Sequence, residues 1–458
     1  MINWDRLNTV AKTLFEEDMA VPQKILIVGG GVFGLSTALS LSQRHQHCQI
    51  TLLEQSPTIP NPHGSSVDSS RIVRADYSHS VYAKLAAAAI DRWRNTEWGK
   101  EGRYTQNGLM LVWTPGNEKA KDYATKSYDN VKQLESDKVE LLPSAADVMR
   151  IVPEYGKELN VAGGYINWGS GWADAAAGVR FAKKLLDEQG KVVFKTGEVT
   201  RLLLADSQNA TSQRRVTGVV LTDGTTLTAD LVVLATGAWT GKLVDLRGRA
   251  ISTGQALAYM RITDEEQRRL ENIPTVLNFA NGIFIIPPRN NLLKIARHAY
   301  GYQNPKAVPI PGANGATMQV SLPENGVPVP LEGQEAFRTA LKELLPSFAD
   351  REFVTTRVCW YTDTPTGDFI VDHHPDYAGL FLATGGSGHA YKFFPVLGDK
   401  IVDAIEGKLE PELRDLWKWP AAVDQSAFEG DGSRSGEQGL LLMEELAKSK
   451  KGQRKSVL

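Results

Sequence analysis

The chain has 458 residues, 42% hydrophobic and 23% charged, ordinary globular usage that excludes a disordered, collagenous or disulfide-built polypeptide. Lys plus Arg number 51 and Asp plus Glu 53, a formal net charge of −2, which argues against a protein made to coat nucleic acid. Two cysteines, Cys48 and Cys359, cannot build a disulfide framework or a cysteine-rich metal site, and they point to an intracellular, cytoplasmic setting.

In chain order, Trp4, Leu7, Val10, Ala11 and Leu14 recur at helical spacing and predict a short amphipathic N-terminal helix. Acids run through that stretch and no continuous apolar core follows, so it is not read as a secretory signal. Nor does any later segment reach the roughly 20 apolar residues that a bilayer span needs, and no membrane association is expected.

Lys24 to Val28 is a short apolar strand, and Gly29-Gly30-Gly31-Val32-Phe33-Gly34 follows at once. Read as G-x-G-x-x-G, Gly29 permits the tight turn, Gly31 lets a pyrophosphate approach the backbone, and Gly34 lets the next helix pack on the strand. The helix at Leu35 to Leu41 aims its first amides at those phosphates. A second strand, Gln49 to Leu53, ends at Glu54, where an acid can accept from a ribose diol. The conjunction predicts a dinucleotide site but leaves NAD and FAD both open. A late apolar strand, Leu231 to Leu234, running into Ala235-Thr236-Gly237, favours FAD.

Further elements are coarser. Val81 to Trp98 and Ala175 to Gln189 read as helices. Val192 to Leu204 and Val216 to Leu221 alternate like antiparallel strands. Leu257 to Arg261, Ile283 to Ile286 and Leu292 to Ala296 predict a second sheet, and Gly301 to Pro323 a long loop over the site. Ser426 to Gly436 is rich in Gly and Ser and reads as a flexible link, followed by a helix at Leu440 to Lys448 and a solvated basic tail. The terminal Ser456-Val457-Leu458 is a poor peroxisomal signal.

Four segments then acquire a common meaning: Ser65 to Tyr77 with Arg71-Ile72-Val73-Arg74, Leu292 to His298, Arg357 to Asp372 around Cys359-Trp360, and Gly385-Gly386-Ser387-Gly388-His389-Ala390-Tyr391-Lys392. In this order, and with the glycine fingerprint, the chain resembles the monomeric sarcosine oxidase family of FAD-dependent amine oxidases over about residues 22 to 410. That family includes pipecolate, saccharopine and fructosyl amino acid oxidases.

The resemblance implies an α/β fold in which a Rossmann-type FAD domain (22–90, 155–240, 355–410) is interleaved with a substrate domain on a mixed or antiparallel sheet (91–154, 241–354). Residues 1–21 and 411–458 are extensions of this body. It also implies a covalent 8α-S-cysteinyl bond from Cys359 to FAD, although a free cysteine is more often a small buried hydrophobe. Lys294 matches the lysine that activates O2; taken alone it reads equally as a strand lysine snorkelling to solvent. His298 matches an active-site histidine and Arg71 an arginine against the flavin, which implies a catalytic role for both. Arg74 and Lys392 match the two cations that hold the substrate carboxylate, a task suited to the guanidinium fork; on local sequence alone the arginines could be solvated. Gly386, Gly388 and His389 belong to the turn on the pyrimidine side of the flavin.

The expected activity is oxidation of secondary, N-substituted or N-methyl, α-amino acids to imines with O2 going to H2O2. The expected protein is monomeric, with no metal and no nucleic-acid partner. The presence of both Arg74 and Lys392 favours this over a fructosyl amino acid oxidase. A biosynthetic oxidase whose imine cyclises, a non-catalytic flavin sensor and an NAD-dependent dehydrogenase stay open. The segment Phe284-Ile285-Ile286-Pro287 replaces a tyrosine-rich wall of sarcosine oxidase and predicts a reshaped pocket.

Overall fold

The computed structural model describes residues 21–205, 214–310, 315–421 and 430–456, with side chains as far as residue 450. The expected N-terminal helix, the first part of the expected link and the last two residues lie outside the described residues.

A six-stranded sheet carries the glycine turn. Its order is Ile370–His373, Leu380–Thr384, Leu231–Leu234, Lys24–Val28, Gln49–Glu54 and Val192–Thr196. All pairs are parallel except the edge strand Ile370–His373. The central strands are buried on both faces, which is why they read as continuous apolar runs. On one face the helix Val32–Arg44 packs against Ala175–Gln189 and Phe394–Ile405. The other face is covered by the antiparallel strands Val199–Leu204, Arg214–Leu221 and Thr226–Thr228.

The second sheet has eight strands in the order Thr355–Asp363, Ile251–Arg261, Leu292–Arg297, Ile283–Arg289, Thr275–Asn278, Leu109–Trp113, Gly163–Asn167 and Val139–Leu142. Its pairs are antiparallel apart from Thr275–Asn278 with Leu109–Trp113. Gly163–Asn167 and Thr355–Asp363 thus pair within this sheet, inside segments expected to belong to the nucleotide domain. Side chains alternate across it. Ala258, Met260, Leu293, Ile295, Ile285, Val358 and Trp360 enter one large core beneath the helix Leu331–Leu344. The opposite residues Leu257, Ala296 and Cys359, with Tyr259, Phe284 and Tyr361 beside them, form a separate apolar patch. In register, Leu257 opposes Ala296 and Ala296 opposes Phe284, while Tyr259 opposes Lys294 and Gln255 opposes Cys359. This period of two delivers a lysine and a cysteine to the same face.

Three local expectations are corrected. Val192–Thr196 pairs parallel with Gln49–Glu54, and only after Gly197 does the chain enter the antiparallel layer. It alternates in polarity because it is a half-exposed sheet edge. The expected loop over 301–323 contains a two-stranded ribbon, Pro305–Pro309 with Thr317–Ser321; proline is tolerated there because both strands have a free edge. The expected flexible link is, over 430–436, packed into the body, with Ser433, Arg434 and Ser435 buried. The final helix runs Leu442–Ser456.

Candidate active site

The glycine turn opens on a cleft of about 1300 Å³ of empty space, lined by Gly29, Gly31, Glu54, Arg71, Gly237, Tyr361, Gly386 and Gly388 among others. A Cβ on Gly34 would collide with the carbonyl oxygen of Gly29, so the helix can approach the strand only with glycine there. Gly29 has φ +112° and lies against the Ala235 carbonyl, a conformation that L side chains rarely adopt. Glu54 closes the second strand, where its Oε2 accepts from Gly30 N at 2.7 Å and its Oε1 from Asn61 Nδ2 at 2.8 Å. The backbone-lined, glycine-walled cleft at a helix N-terminus fits a dinucleotide pyrophosphate. The buried Glu54 stands where a ribose edge would enter.

Cys359 is buried in the apolar patch of the second sheet, two residues before Tyr361 of the cleft wall. Arg71, on a short strand paired with Gly171–Ala173, places Nη2 3.5 Å from Cys359 Sγ. Its Nη1 pairs with Asp68. Asp68 is the centre of a cluster that the sequence reading missed. Lys294 Nζ donates to Asp68 Oδ2 at 2.7 Å and to the Ser70 carbonyl at 2.9 Å, and the Tyr259 hydroxyl donates to Asp68 Oδ1. Burial opposes ionisation of Asp68, but the Lys294 and Arg71 charges outweigh it and hold its carboxyl well below the usual range. Lys294 is pushed down to about 8, by burial above all and by the nearby Arg71 charge, against the pull of Asp68. Of this cluster, Lys294 is therefore the member that titrates near neutrality. Phe284 sits beside it, its ring centroid 5.8 Å from Nζ.

A second cluster gathers Arg74, Lys392, Tyr77, Tyr123 and His389. Arg74 Cζ lies 4.6 Å and Lys392 Nζ 5.1 Å from the centroid of the Tyr77 ring, so the two cations share one aromatic wall. Both are buried, at 5% and 4% exposure. Arg74 Nη2 reaches the Tyr123 hydroxyl at 3.4 Å, and its Nη1 is buried with no hydrogen-bond partner. Burial, and next the Arg74 charge, push the Lys392 ammonium well below the usual lysine range.

Lys392 Nζ donates at 2.8 Å to the Tyr77 hydroxyl, which lies 2.8 Å from His389 Nδ1, while His389 Nε2 faces the Gly367 carbonyl at 2.8 Å. The carbonyl can only accept, so Nε2 carries the proton and Nδ1 accepts from Tyr77. Burial, then the Lys392 charge, hold His389 neutral, down to about 3.

The C-terminal stretch, which the sequence reading took for a link, packs beside this cluster through Gly432 against Tyr123. Arg434 pairs with Asp363 of the Cys359 strand and donates to the Ser387 carbonyl at 2.9 Å and the Ala299 carbonyl at 2.9 Å. His298 is half-buried and sits 3.1 Å from Ser433 Oγ. Burial, then the Arg434 and Arg74 charges, keep His298 well below its ordinary value. Among the described residues no group of three or more His, Cys, Asp and Glu could hold a metal ion, and no helix is long and apolar enough to cross a membrane.

Comparison with known proteins agrees with this geometry. Residues 24–404 match the family described as DAO, FAD dependent oxidoreductase. The amino acid oxidase imqH of Aspergillus flavus is 34% identical over 88% of this chain and 98% of its own length. The L-saccharopine oxidase of Schizosaccharomyces pombe is 29% identical over 86% of this chain and 92% of its own. The crystal structure of a modified fructosyl peptide oxidase from Aspergillus nidulans superposes with a TM-score of 0.81 at 28% identity, covering 92% of this chain and 98% of that one. The chain belongs to the family of FAD-dependent oxidoreductases.

Proposed function

We propose that the protein oxidises secondary, N-substituted or N-methyl, α-amino acids at the C–N bond, with O2 as acceptor. One observation carries the reading. Arg74 and Lys392, both buried, share the Tyr77 wall, and neither has a carboxylate within ion-pair distance among the described residues. Two buried like charges are costly unless an anion joins them, and a substrate carboxylate supplies that anion. The unpartnered Arg74 Nη1 is the donor left over for it. The likeness to enzymes named for amino acid and saccharopine oxidation supports the same class.

FAD, when bound, supplies a two-electron acceptor for the substrate C–H bond and passes the electrons to O2. The residues of this chain do the rest. Gly29 and Gly31 would hold its pyrophosphate, Gly34 lets the helix approach closely enough for this, Glu54 would take the ribose, and the turn Gly386 to Gly388 would meet its ring. Gly237 opens the same cleft from the late strand. Arg74 and Lys392 orient the amino acid by its carboxylate, which is worth far more than loose encounter. Lys294 is a fixed cation for negative charge developing on O2. Asp68 holds that lysine in place, with Arg71 as its second counter-charge.

Cys359 is the anchor for a thioether to the cofactor. Its test is denaturation: acid-precipitated protein keeps its yellow colour in the pellet, whereas Cys359→Ala releases it to the supernatant. Release from the parent protein would remove the bond from this reading. The activity itself is tested by peroxide release from sarcosine, pipecolate, saccharopine, N-methylated aromatic amino acids and fructosyl amino acids. Turnover confined to the last of these would replace the reading with that of a fructosyl amino acid oxidase.

A further expectation concerns Asp68. Its charge raises the affinity of Lys294 for a proton, so Asp68→Asn should move the high-pH limb of the reaction with O2 to lower pH. Stopped-flow mixing with O2 across the range from pH 6 to pH 9, roughly centred on the lysine's titration, reads this directly.

A further inference from the structure

The segment 430–436 lies beyond the family match, which ends at residue 404, yet Gly432 packs against Tyr123 and Ser433 meets His298. Asp431 Oδ1 accepts from Ser433 N at 3.0 Å and from the Ser433 hydroxyl. Burial opposes its charge, but the two Ser433 hydrogen bonds and the Arg434 guanidinium favour the ionised carboxylate. An ionised carboxylate only accepts, and a serine hydroxyl has a single proton. That proton is therefore committed to Asp431. His298 Nε2 lies 3.1 Å from the same Ser433 oxygen, so Nε2 must be the donor. A neutral imidazole protonated on Nε2 has its lone pair on Nδ1.

The neighbouring His389 is also protonated on Nε2, but its Nδ1 is used by the Tyr77 hydroxyl. His298 Nδ1 has no hydrogen-bond partner among the described residues. The ring is half-buried and lies 6.0 Å from the ring of Tyr361, which lines the nucleotide cleft, while the segment that holds it packs through Gly432 against Tyr123, the hydrogen-bond partner of Arg74.

We propose that Asp431 and Ser433 hold His298 in the Nε2–H tautomer, so that its Nδ1 is the hydrogen-bond acceptor for the amine N–H of the substrate. Ser433 and Asp431 are positioning residues acting through His298. The identity of the donor rests on the amine-oxidase reading; the tautomer rests only on the hydrogen-bond chain. A secondary amine has one N–H when neutral, and an acceptor fixed relative to Arg74 and Lys392 selects which way that N–H, and hence its lone pair, points.

The test uses the flavin-loaded enzyme. Long-range 1H–15N correlation spectra, with His298→Asn identifying the signal, should show His298 neutral and protonated on Nε2. Ser433→Ala should turn this into a mixture of tautomers and slow anaerobic bleaching by the amine about 10-fold, the scale of one lost hydrogen bond. Ser433→Thr, which keeps the hydroxyl, should restore both. If Ser433→Ala does not accumulate as a yellow protein, Asp431→Ala gives the same reading, since the freed serine proton then lacks a fixed acceptor. A parent enzyme protonated on Nδ1, or a tautomer indifferent to both variants, overturns the proposal. A parent that no amine bleaches, with the Nε2–H signal in place, overturns the amine reading and the donor it supplies while leaving the tautomer standing.

Discussion

Lys294→Met should slow the reaction of the reduced enzyme with O2 by about 100- to 1000-fold, the cost of losing one preorganised charge at a site of developing negative charge. The preceding reaction with the amine should change far less. The asymmetry follows from where Lys294 stands. It lies on the second sheet in register with Tyr259, beside the apolar patch of Cys359, and its ammonium is held by Asp68 and the Ser70 carbonyl. Its hydrogen bonds go to Asp68 and Ser70 and none goes to Arg74, Lys392 or Tyr77. Burial brings Lys294 down to about 8, so the cation is present below that pH and is lost as pH rises through it. The rate with O2 should therefore fall above about pH 8 in the parent, and in Lys294→Met it should be low and flat with pH. Rapid mixing of anaerobically reduced protein with aerated buffer measures both. Equal slowing of the two half-reactions would assign Lys294 to structure rather than to oxygen chemistry.

Arg74→Met should raise the KM for a carboxylate-bearing amine by roughly 30- to 4000-fold, corresponding to the ~2–5 kcal/mol lost when one partner of a buried charge pair is removed. Methionine fills much of the volume, so the Tyr77 and Phe279 walls keep their packing. Lys392 alone cannot compensate. Its ammonium is already pushed down by burial and donates to the Tyr77 hydroxyl and the His389 carbonyl. Arg74→Lys should recover little of the loss, because the planar fork and its spare Nη1 donor are what a carboxylate engages. Steady-state kinetics with an amino acid and with its decarboxylated counterpart separate the effects: the variant should lose discrimination between the two.

The nucleotide cleft was legible in the chain because its chemistry is local. Gly29 and Gly34 must be glycine where a helix starts this close to a strand, and Glu54 follows on the adjacent strand. Lys294 and Cys359 stood out only through the family resemblance of the segments around them, and the alternation of the second sheet puts both on one face. The rest depends on partners that lie far apart in sequence. Asp68 acquires meaning only when Lys294, 226 residues later, folds onto it. Arg434 and Ser433 lie in a stretch whose Gly and Ser content reads as a link, and they are drawn in by Asp363 and His298, 71 and 135 residues away. Composition reports how freely a segment can move as an isolated chain, not which buried charge waits for it. The ribbon at 305–321 was hidden for a related reason: its prolines mark a loop unless the strands have edges to spare.

The most direct measurement is anaerobic titration of the flavin-loaded enzyme with an N-methyl α-amino acid, followed by the visible absorbance of the oxidised flavin. The account predicts that the colour bleaches with the amino acid, hardly at all with the same amine lacking its carboxylate, and returns on admission of air with release of peroxide. Bleaching that proceeds equally well without the carboxylate, or colour that no secondary amino acid removes, would contradict it.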